Sequence, residues 1–243
     1  MKTILCLLIL FFSSSSFAAR GWGLGASYLY GQMNYKEPAL MSEKGKMMGL
    51  GLDARLDLTS RIVATAQAKI YNGNLEYSGS TFSGIPISQT TKDKVNEYRG
   101  LLALRMGPFQ PYSGYGYRYW FNDLVISYRR ETTYHYIPIG IKYVYRPFYF
   151  NYEFRHFLDG VNVSRMSDVS SARKDVTMKQ KSGKGYAFEV GHLTKIAGLD
   201  LKISVAYEYW GIEKSETAFD GVDNLIEPHN STNMYTVAVG LFF

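Results

Sequence analysis

The chain has 243 residues, and its 27 Lys and Arg against 21 Asp and Glu give a formal charge of +6. A mild excess of this kind, spread along the chain, suits an anionic membrane surface better than nucleic acid, and no phosphate-loop, dinucleotide or nucleic-acid motif is present. With 21 Tyr, 14 Phe and 23 Gly the composition favours β structure, and the length is that of one domain.

In chain order, the first element is an expected export signal over residues 1–18. Lys2 supplies the positive start, Ile4 to Phe12 the apolar core, and Ser16-Phe17-Ala18 a small-x-small cleavage site. The sole cysteine, Cys6, lies inside it, so the mature chain, 19–243, is expected to have no thiol for a disulfide, a metal or nucleophilic chemistry. No later segment holds the 18 or more apolar residues of a spanning helix. If this chain crosses a membrane, a closed barrel is the remaining option, because every backbone polar group must then be paired internally.

Ten segments alternate in character with period two. The first, 22–34, points Trp22, Leu24, Ala26, Tyr28 and Tyr30 one way and Gly23, Gly25, Ser27 and Gly31 the other. The second, 47–57, sets Met48, Leu50, Leu52, Ala54 and Leu56 against Asp53, Arg55 and Asp57. The third, 62–72, sets Ile62, Ala64, Ala66, Ala68 and Ile70 against Thr65, Gln67 and Lys69; the fourth, 96–106, sets Tyr98, Leu102 and Leu104 against Glu97, Arg99 and Arg105. In the fifth, Tyr115, Tyr117, Tyr119 and Phe121 oppose Arg118 and Trp120. The sixth, 133–145, carries Ile137, Ile139, Ile141, Tyr143 and Tyr145, with Lys142 on the other face. Phe148, Phe150, Tyr152 and Phe154 oppose Asn151, Glu153 and Arg155 in the seventh; the weaker eighth, 185–193, has Tyr186, Phe188 and Val190 against Glu189. The ninth runs through Leu201, Ile203, Val205, Tyr207 and Tyr209 opposite Lys202 and Glu208, and 233–243 closes the sheet as the tenth.

Short connections fall at 58–61, 107–111, 146–147 and 194–198, and longer ones at 35–46, 73–95, 122–132, 159–184 and 211–231. This is the rhythm of a transmembrane up-and-down antiparallel β-barrel of ten strands, with long outer loops, short periplasmic turns and both termini in the periplasm. Pro138 cannot donate to a ladder in mid-strand, so a bulge is expected there; without that strand the count becomes eight. The threading gathers Tyr28, Tyr30, Tyr119, Phe121, Tyr207 and Tyr209 at the outer rim and Tyr143, Tyr145, Phe148 and Phe243 at the periplasmic rim, as two interfacial belts require.

Three short stretches carry a family resemblance: Tyr136-Ile137-Pro138-Ile139-Gly140, Tyr209-Trp210-Gly211-Ile212-Glu213-Lys214-Ser215, and Glu227-Pro228-His229-Asn230-Ser231-Thr232. With the alternating, aromatic-ended final strand, the chain resembles the small bacterial outer-membrane barrels of the OmpA-type, OmpX-type and opacity-type group. The resemblance implies a monomeric barrel in the outer membrane, with lipids and lipopolysaccharide around it and loops facing the exterior for adhesion, envelope structure or small-solute passage. It also implies that the terminal Phe243 is read by the barrel-assembly machinery. Ten strands depart from the eight usual in the OmpA-type and OmpX-type groups.

The expected lumen charges are Asp53, Arg55, Asp57, Lys69, Glu97, Arg99, Arg105, Arg118, Lys142, Glu153, Arg155, Glu189, Lys202 and Glu208. Such groups either pair into a polar core or line a narrow water-filled channel, and the size scaling of barrels favours the filled interior at ten strands. Loop 159–184 sets six cations against three anions, whereas loop 211–231 sets one cation against five anions. Mutual attraction or simple solvation is the plainer reading; the sharper one has the basic loop, with Arg129 and Arg130, contacting lipopolysaccharide phosphates or an acidic host ligand. His135 and His156 face outward on adjacent strands, where a barrel hydrolase could sit, but no nucleophile or orienting carboxylate is brought to them. No catalytic, cofactor or metal site and no nucleic-acid partner is expected.

Overall fold

The computed structural model describes residues 21–80, 84–124, 127–196 and 199–243; the expected export signal lies outside the described residues. Among the described residues thirteen strands form: β1 (Trp22–Glu37), β2 (Met41–Asp57), β3 (Ile62–Ser80), β4 (Pro86–Leu104), β5 (Phe109–Asp123), β6 (Arg129–Tyr145), β7 (Phe148–Ser164), β8 (Val176–Gln180), β9 (Gly183–Ile196), β10 (Leu199–Ile212), β11 (Ala218–Phe219), β12 (Asn224–Leu225) and β13 (Asn230–Phe242).

The sheet closes on itself as an antiparallel barrel of ten strands. Consecutive neighbours pair from β1 to β7, β7 pairs with β9, β9 with β10, β10 with β13, and β13 returns to β1. Closure at the end carrying both termini is completed by Leu24, whose N–H donates to the Phe243 carbonyl at 3.2 Å, and by the reciprocal bond at 2.8 Å. Among the described residues the ten-stranded wall itself leaves no edge for another chain to extend. β8 is an outward continuation of β9: Gly160 faces Gln180 and His156 faces Lys184, one register along β7 interrupted near Lys181-Ser182. β11 and β12 form a separate two-stranded hairpin over the outer end.

The expected alternation holds through the lower barrel. Leu50, Leu52, Leu102, Ile139, Phe150, Val205 and Val237 are exposed on the outer face, which is the apolar band a bilayer covers. Ring pairs recur along this face, such as Tyr207 on Tyr235 at 5.0 Å and Phe109 on Tyr143 at 5.0 Å. Inward tyrosines sit directly across from glycines: Tyr112 faces Gly140, Tyr136 faces Gly116 and Tyr149 faces Gly191. A Cβ at Gly116 would lie 2.1 Å from the Tyr136 ring, so the glycine leaves the room that lets the ring lie flat against the wall.

Two expectations are corrected. The hairpins extend further than the spacing suggested: 35–46 is paired strand except at 38–40, where the Leu40 N–H donates to the Glu37 carbonyl and Ala39 takes φ 63. Likewise β3 and β4 stay paired to Ser80 and Pro86. Polar sequence here is strand whose outward residues, such as Lys46, Asn74 and Lys92, are polar while the period of two continues. At Pro138 there is a gap rather than a bulge. The β5–β6 ladder runs to Ser113 opposite Ile139 and resumes at Gly116 opposite Tyr136, while Ser113 Oγ donates to the Pro138 carbonyl at 2.9 Å. The register shift lies instead against β7, between His135 and Tyr136.

Candidate functional site

The interior is stratified. At the end carrying the termini, a charged vestibule encloses about 480 Å³ and contains Asp53, Arg55, Asp57, Lys142, Glu189 and Lys202. Asp57 receives Arg105 at 2.6 Å and Arg55 at 3.0 Å, Lys202 meets Glu189 at 2.8 Å, and Asp53 accepts from Gln67 Nε2 at 2.5 Å. Lys142 lies with Nζ 4.5 Å from the Tyr149 ring centroid.

Above it the charges condense into a network drawn from four strands, β3, β4, β7 and β10. Arg155, on β7, meets Glu153 at 2.8 Å, Glu208 at 2.9 Å and Glu97 at 3.3 Å. Lys69 reaches Glu208 at 2.6 Å and Arg99 reaches Glu153 at 2.9 Å. The Tyr112 and Tyr136 hydroxyls donate to Glu153 and Glu97 at 2.8 and 2.6 Å. Arg155 is 1% exposed and Glu153 0%, whereas the Lys69 side chain in the same network keeps 24% of its surface exposed. Buried charge is tolerated only when it is paired and hydrogen-bonded, and here each carboxylate has several donors. Arg118, on β5 and 3% exposed, holds its guanidinium 6.0 Å from the Trp210 ring centroid.

The outer third of the interior was missed by sequence reasoning. Met33, Tyr35, Met47, Leu75, Val95 and Trp120 form a buried apolar cluster inside the hairpin extensions. Over it Arg130 bonds Glu37 and Glu43, each at 3.0 Å, and sets its guanidinium 5.7 Å from the centroid of the Tyr35 ring. Asp93 accepts from Trp120 Nε1 at 2.8 Å and Asn122 Nδ2 at 2.9 Å, and Glu227 accepts from the Tyr35 hydroxyl at 3.1 Å. The signal was available: Met33 and Tyr35 continue the inward phase of β1, and Thr91, Asp93 and Val95 alternate with Lys92 and Lys94.

Four outer loop cations, Arg129, Arg165, Arg173 and Lys181, are held by carboxylates. Arg173 joins the oppositely charged loop through Asp220 at 2.6 Å and Asp223 at 2.5 Å, and Lys181 joins it through Glu216 at 2.5 Å. Arg129 pairs with Asp168 at 2.9 Å, and its hydrogen bond holds the Asp168 carboxyl below the usual carboxylate range. Arg165 bridges Glu131 at 2.7 Å and Asp175 at 3.1 Å.

His135 bonds the Tyr115 hydroxyl on the outer face, and the shifted register sets Asp159 opposite it with no hydrogen bond between the two. His156 lies opposite Ile137, and His229 approaches Glu213 at 3.5 Å. Among the described residues no group of three metal-ligating side chains converges.

A closed ten-stranded antiparallel barrel, apolar outside and charged within, has the fold of bacterial outer-membrane β-barrel proteins. No protein-family profile matches the chain, and no curated protein matches it. Among solved structures, the outer membrane protease OmpT of Escherichia coli is 12% identical, with 91% of this chain and 96% of that one covered at a TM-score of 0.55. The translocator domain of the autotransporter NalP from Neisseria meningitidis is 10% identical over 100% of this chain and 93% of that one, with a TM-score of 0.45. The attachment invasion locus protein Ail of Yersinia pestis is 9% identical over 91% and 99%, with a TM-score of 0.33. At such identities the likeness is one of fold.

Proposed function

We propose that this protein resides in the outer membrane as a barrel with a closed interior and acts through the part it raises into the external water, in surface interaction or envelope structure. The observation that carries this reading is the double seal. Arg155, Glu153, Tyr136 and Trp210 fill one level of the lumen, and Met33, Met47 and Leu75 fill another, all at most 1% exposed. A solute pathway needs a continuous polar lumen, and these layers interrupt it. With the interior committed to packing, the surface that varies in chemistry is the outer rim and its loops.

Single-channel recording of purified protein in planar bilayers tests this directly. Silence at moderate voltage is the expected result, and stable, reproducible conductance steps would replace the closed reading with that of a narrow pore. A hydrolytic role has less support. The outward histidines and the inward Glu43, Asp93 and Glu97 carboxylates lie on opposite faces of the wall, beyond the hydrogen-bond reach that general acid–base chemistry needs.

A further inference from the structure

The lumen charges are not all matched from within. Arg55, Lys69, Arg99, Arg105, Arg155 and Lys202 each pair with a carboxylate of the interior, whereas Arg118 and Lys142 pair with none among the described residues. The two differ in what surrounds them. Arg118 is buried against Trp210, but Lys142 lines the vestibule at the end carrying the termini, where a molecule from solution can reach it.

Register sets Lys142 in a row of inward polar groups. Gln110 faces it from β5 and Asn151 from β7, and Asn151 in turn faces Glu189 on β9. All four line the same space. Side chains directly opposite in an antiparallel pair have Cβ atoms about 5 Å apart, so one small molecule can touch two neighbours of the row. The Glu189 end is satisfied, by Lys202 at 2.8 Å and the Tyr149 hydroxyl at 2.6 Å. The Lys142 end is not. Its ammonium lies 4.5 Å from the Tyr149 ring centroid and that of Lys202 lies 5.2 Å from the same centroid, so two cations share one ring and one carboxylate answers them. The other carboxylates of the vestibule are engaged elsewhere, Asp57 by Arg55 and Arg105, Asp53 by Gln67 and Asp200 by Lys195.

The amides beside Lys142 are also open. Gln110 forms no side-chain hydrogen bond among the described residues. Asn151 Oδ1 is buried without a hydrogen-bond partner, and the broad terminal torsion of an asparagine lets it turn to a donor in the chamber. Val63, Leu101, Ala103, Leu193 and Phe242 supply an apolar wall, and Tyr112 and Arg99, both bonded to Glu153, close the inner end. At about 480 Å³ the space is that of a small-molecule pocket.

The geometry points to a binding site for a small organic carboxylate that carries a neighbouring amide N–H and an apolar side group, the chemistry of the C-terminal end of a short peptide. Its carboxylate meets the Lys142 ammonium, its N–H donates to the Gln110 amide oxygen, and its side group lies on the wall that Leu101 and Phe242 provide. The site goes beyond the surface role proposed above and does not depend on it, because the chamber opens at the end opposite the loops.

The test uses the full mature barrel refolded in nonionic detergent, with folding scored first by heat-modifiable migration. Calorimetric titration then compares N-acetyl-Ala-Leu, its C-terminal amide, and the analogue in which an ester replaces the Ala-Leu amide. The free acid should bind in the millimolar range or tighter, the C-terminal amide roughly tenfold more weakly or worse, and the ester analogue roughly threefold more weakly, each having lost one polar contact. Lys142→Met should weaken the free acid by roughly tenfold or more and leave the C-terminal amide unchanged, while Lys142→Arg keeps most of the affinity. Lys179→Met, on the outward face of β8, should change nothing. Should Lys142→Met fail to fold, the three ligands on the wild type still decide. No binding of the free acid, equal affinity for the C-terminal amide, unchanged affinity in Lys142→Met, or equal weakening in Lys179→Met would overturn the inference. Equal affinity for the ester analogue would remove the amide contact and reject the peptide assignment.

Discussion

The lower and upper halves of this barrel obey the same backbone rule with opposite chemistry. In the lower half Leu50, Leu52 and Leu102 face out while Asp53, Glu97 and Arg99 face in. In the upper half the same strands turn Lys46, Asn74 and Lys92 outward and bury Met47, Leu75 and Val95. The crossover comes within a residue or two of Met48 and Lys46, with no break in pairing. On the membrane placement proposed above, what changes there is the solvent. Hydrocarbon tolerates apolar side chains and rejects charge, so polarity is driven into the lumen; water reverses the preference, and the protruding hairpins build an ordinary hydrophobic core.

The contrast can be broken most severely at the network that separates the halves. Arg155→Met leaves Glu97, Glu153 and Glu208 without their shared cation, and stranding a buried charge costs about 3–5 kcal/mol. The urea midpoint of the vesicle-inserted barrel should drop sharply; an unchanged midpoint would mean that water reaches these carboxylates and the lumen is not sealed. The two outer faces are separated by a matched pair. Leu52→Arg puts a cation against hydrocarbon at a cost of about 2–4 kcal/mol at the bilayer midplane, whereas Asn74→Arg, on the same outward phase above the band, should change stability by only about 0.5 kcal/mol or less. Equal effects at both positions would erase the boundary drawn here between membrane and water.

A smaller, local effect is expected at Glu227, in the segment leading into β13. Burial first, and then the nearby Glu37 charge, push its carboxyl up to about 7, against the opposing pull of Arg130. The folded loop therefore holds the proton more tightly than the open loop does. Its attachment is firmest below about pH 4.5 and weakens as pH rises through about 7. Protease cleavage within 226–229 should accelerate from pH 5 to pH 8 in the wild type and stay flat in Glu227→Gln. Acceleration at low pH instead would show that the group is charged and paired in the folded loop.

The lower barrel was legible because its pattern has one cause. Alternation of Leu, Ile and aromatic residues with charged ones signals a wall between hydrocarbon and a polar interior, and the same phase places the charged residues from Asp53 to Glu208 on the inner face. The upper half was taken for loop because Lys44, Lys46, Lys92 and Lys94 are common in loops, although the alternation with Met47, Asp93 and Val95 continued through them. Asp159 was not brought to His135 because a one-residue shift of register on β7 changes which face it occupies.

By itself, then, the order of residues determined the period, the strand number and the side of the wall each lower-barrel residue takes, because a pleated strand offers only two faces and the bilayer sorts them strongly. Partnership was decided only in three dimensions. Which carboxylate Arg155 or Arg130 meets depends on residues 53 and 93 positions away in the chain, brought together by closing the sheet. The same closure brought the two oppositely charged outer loops together, where Arg173 meets Asp220.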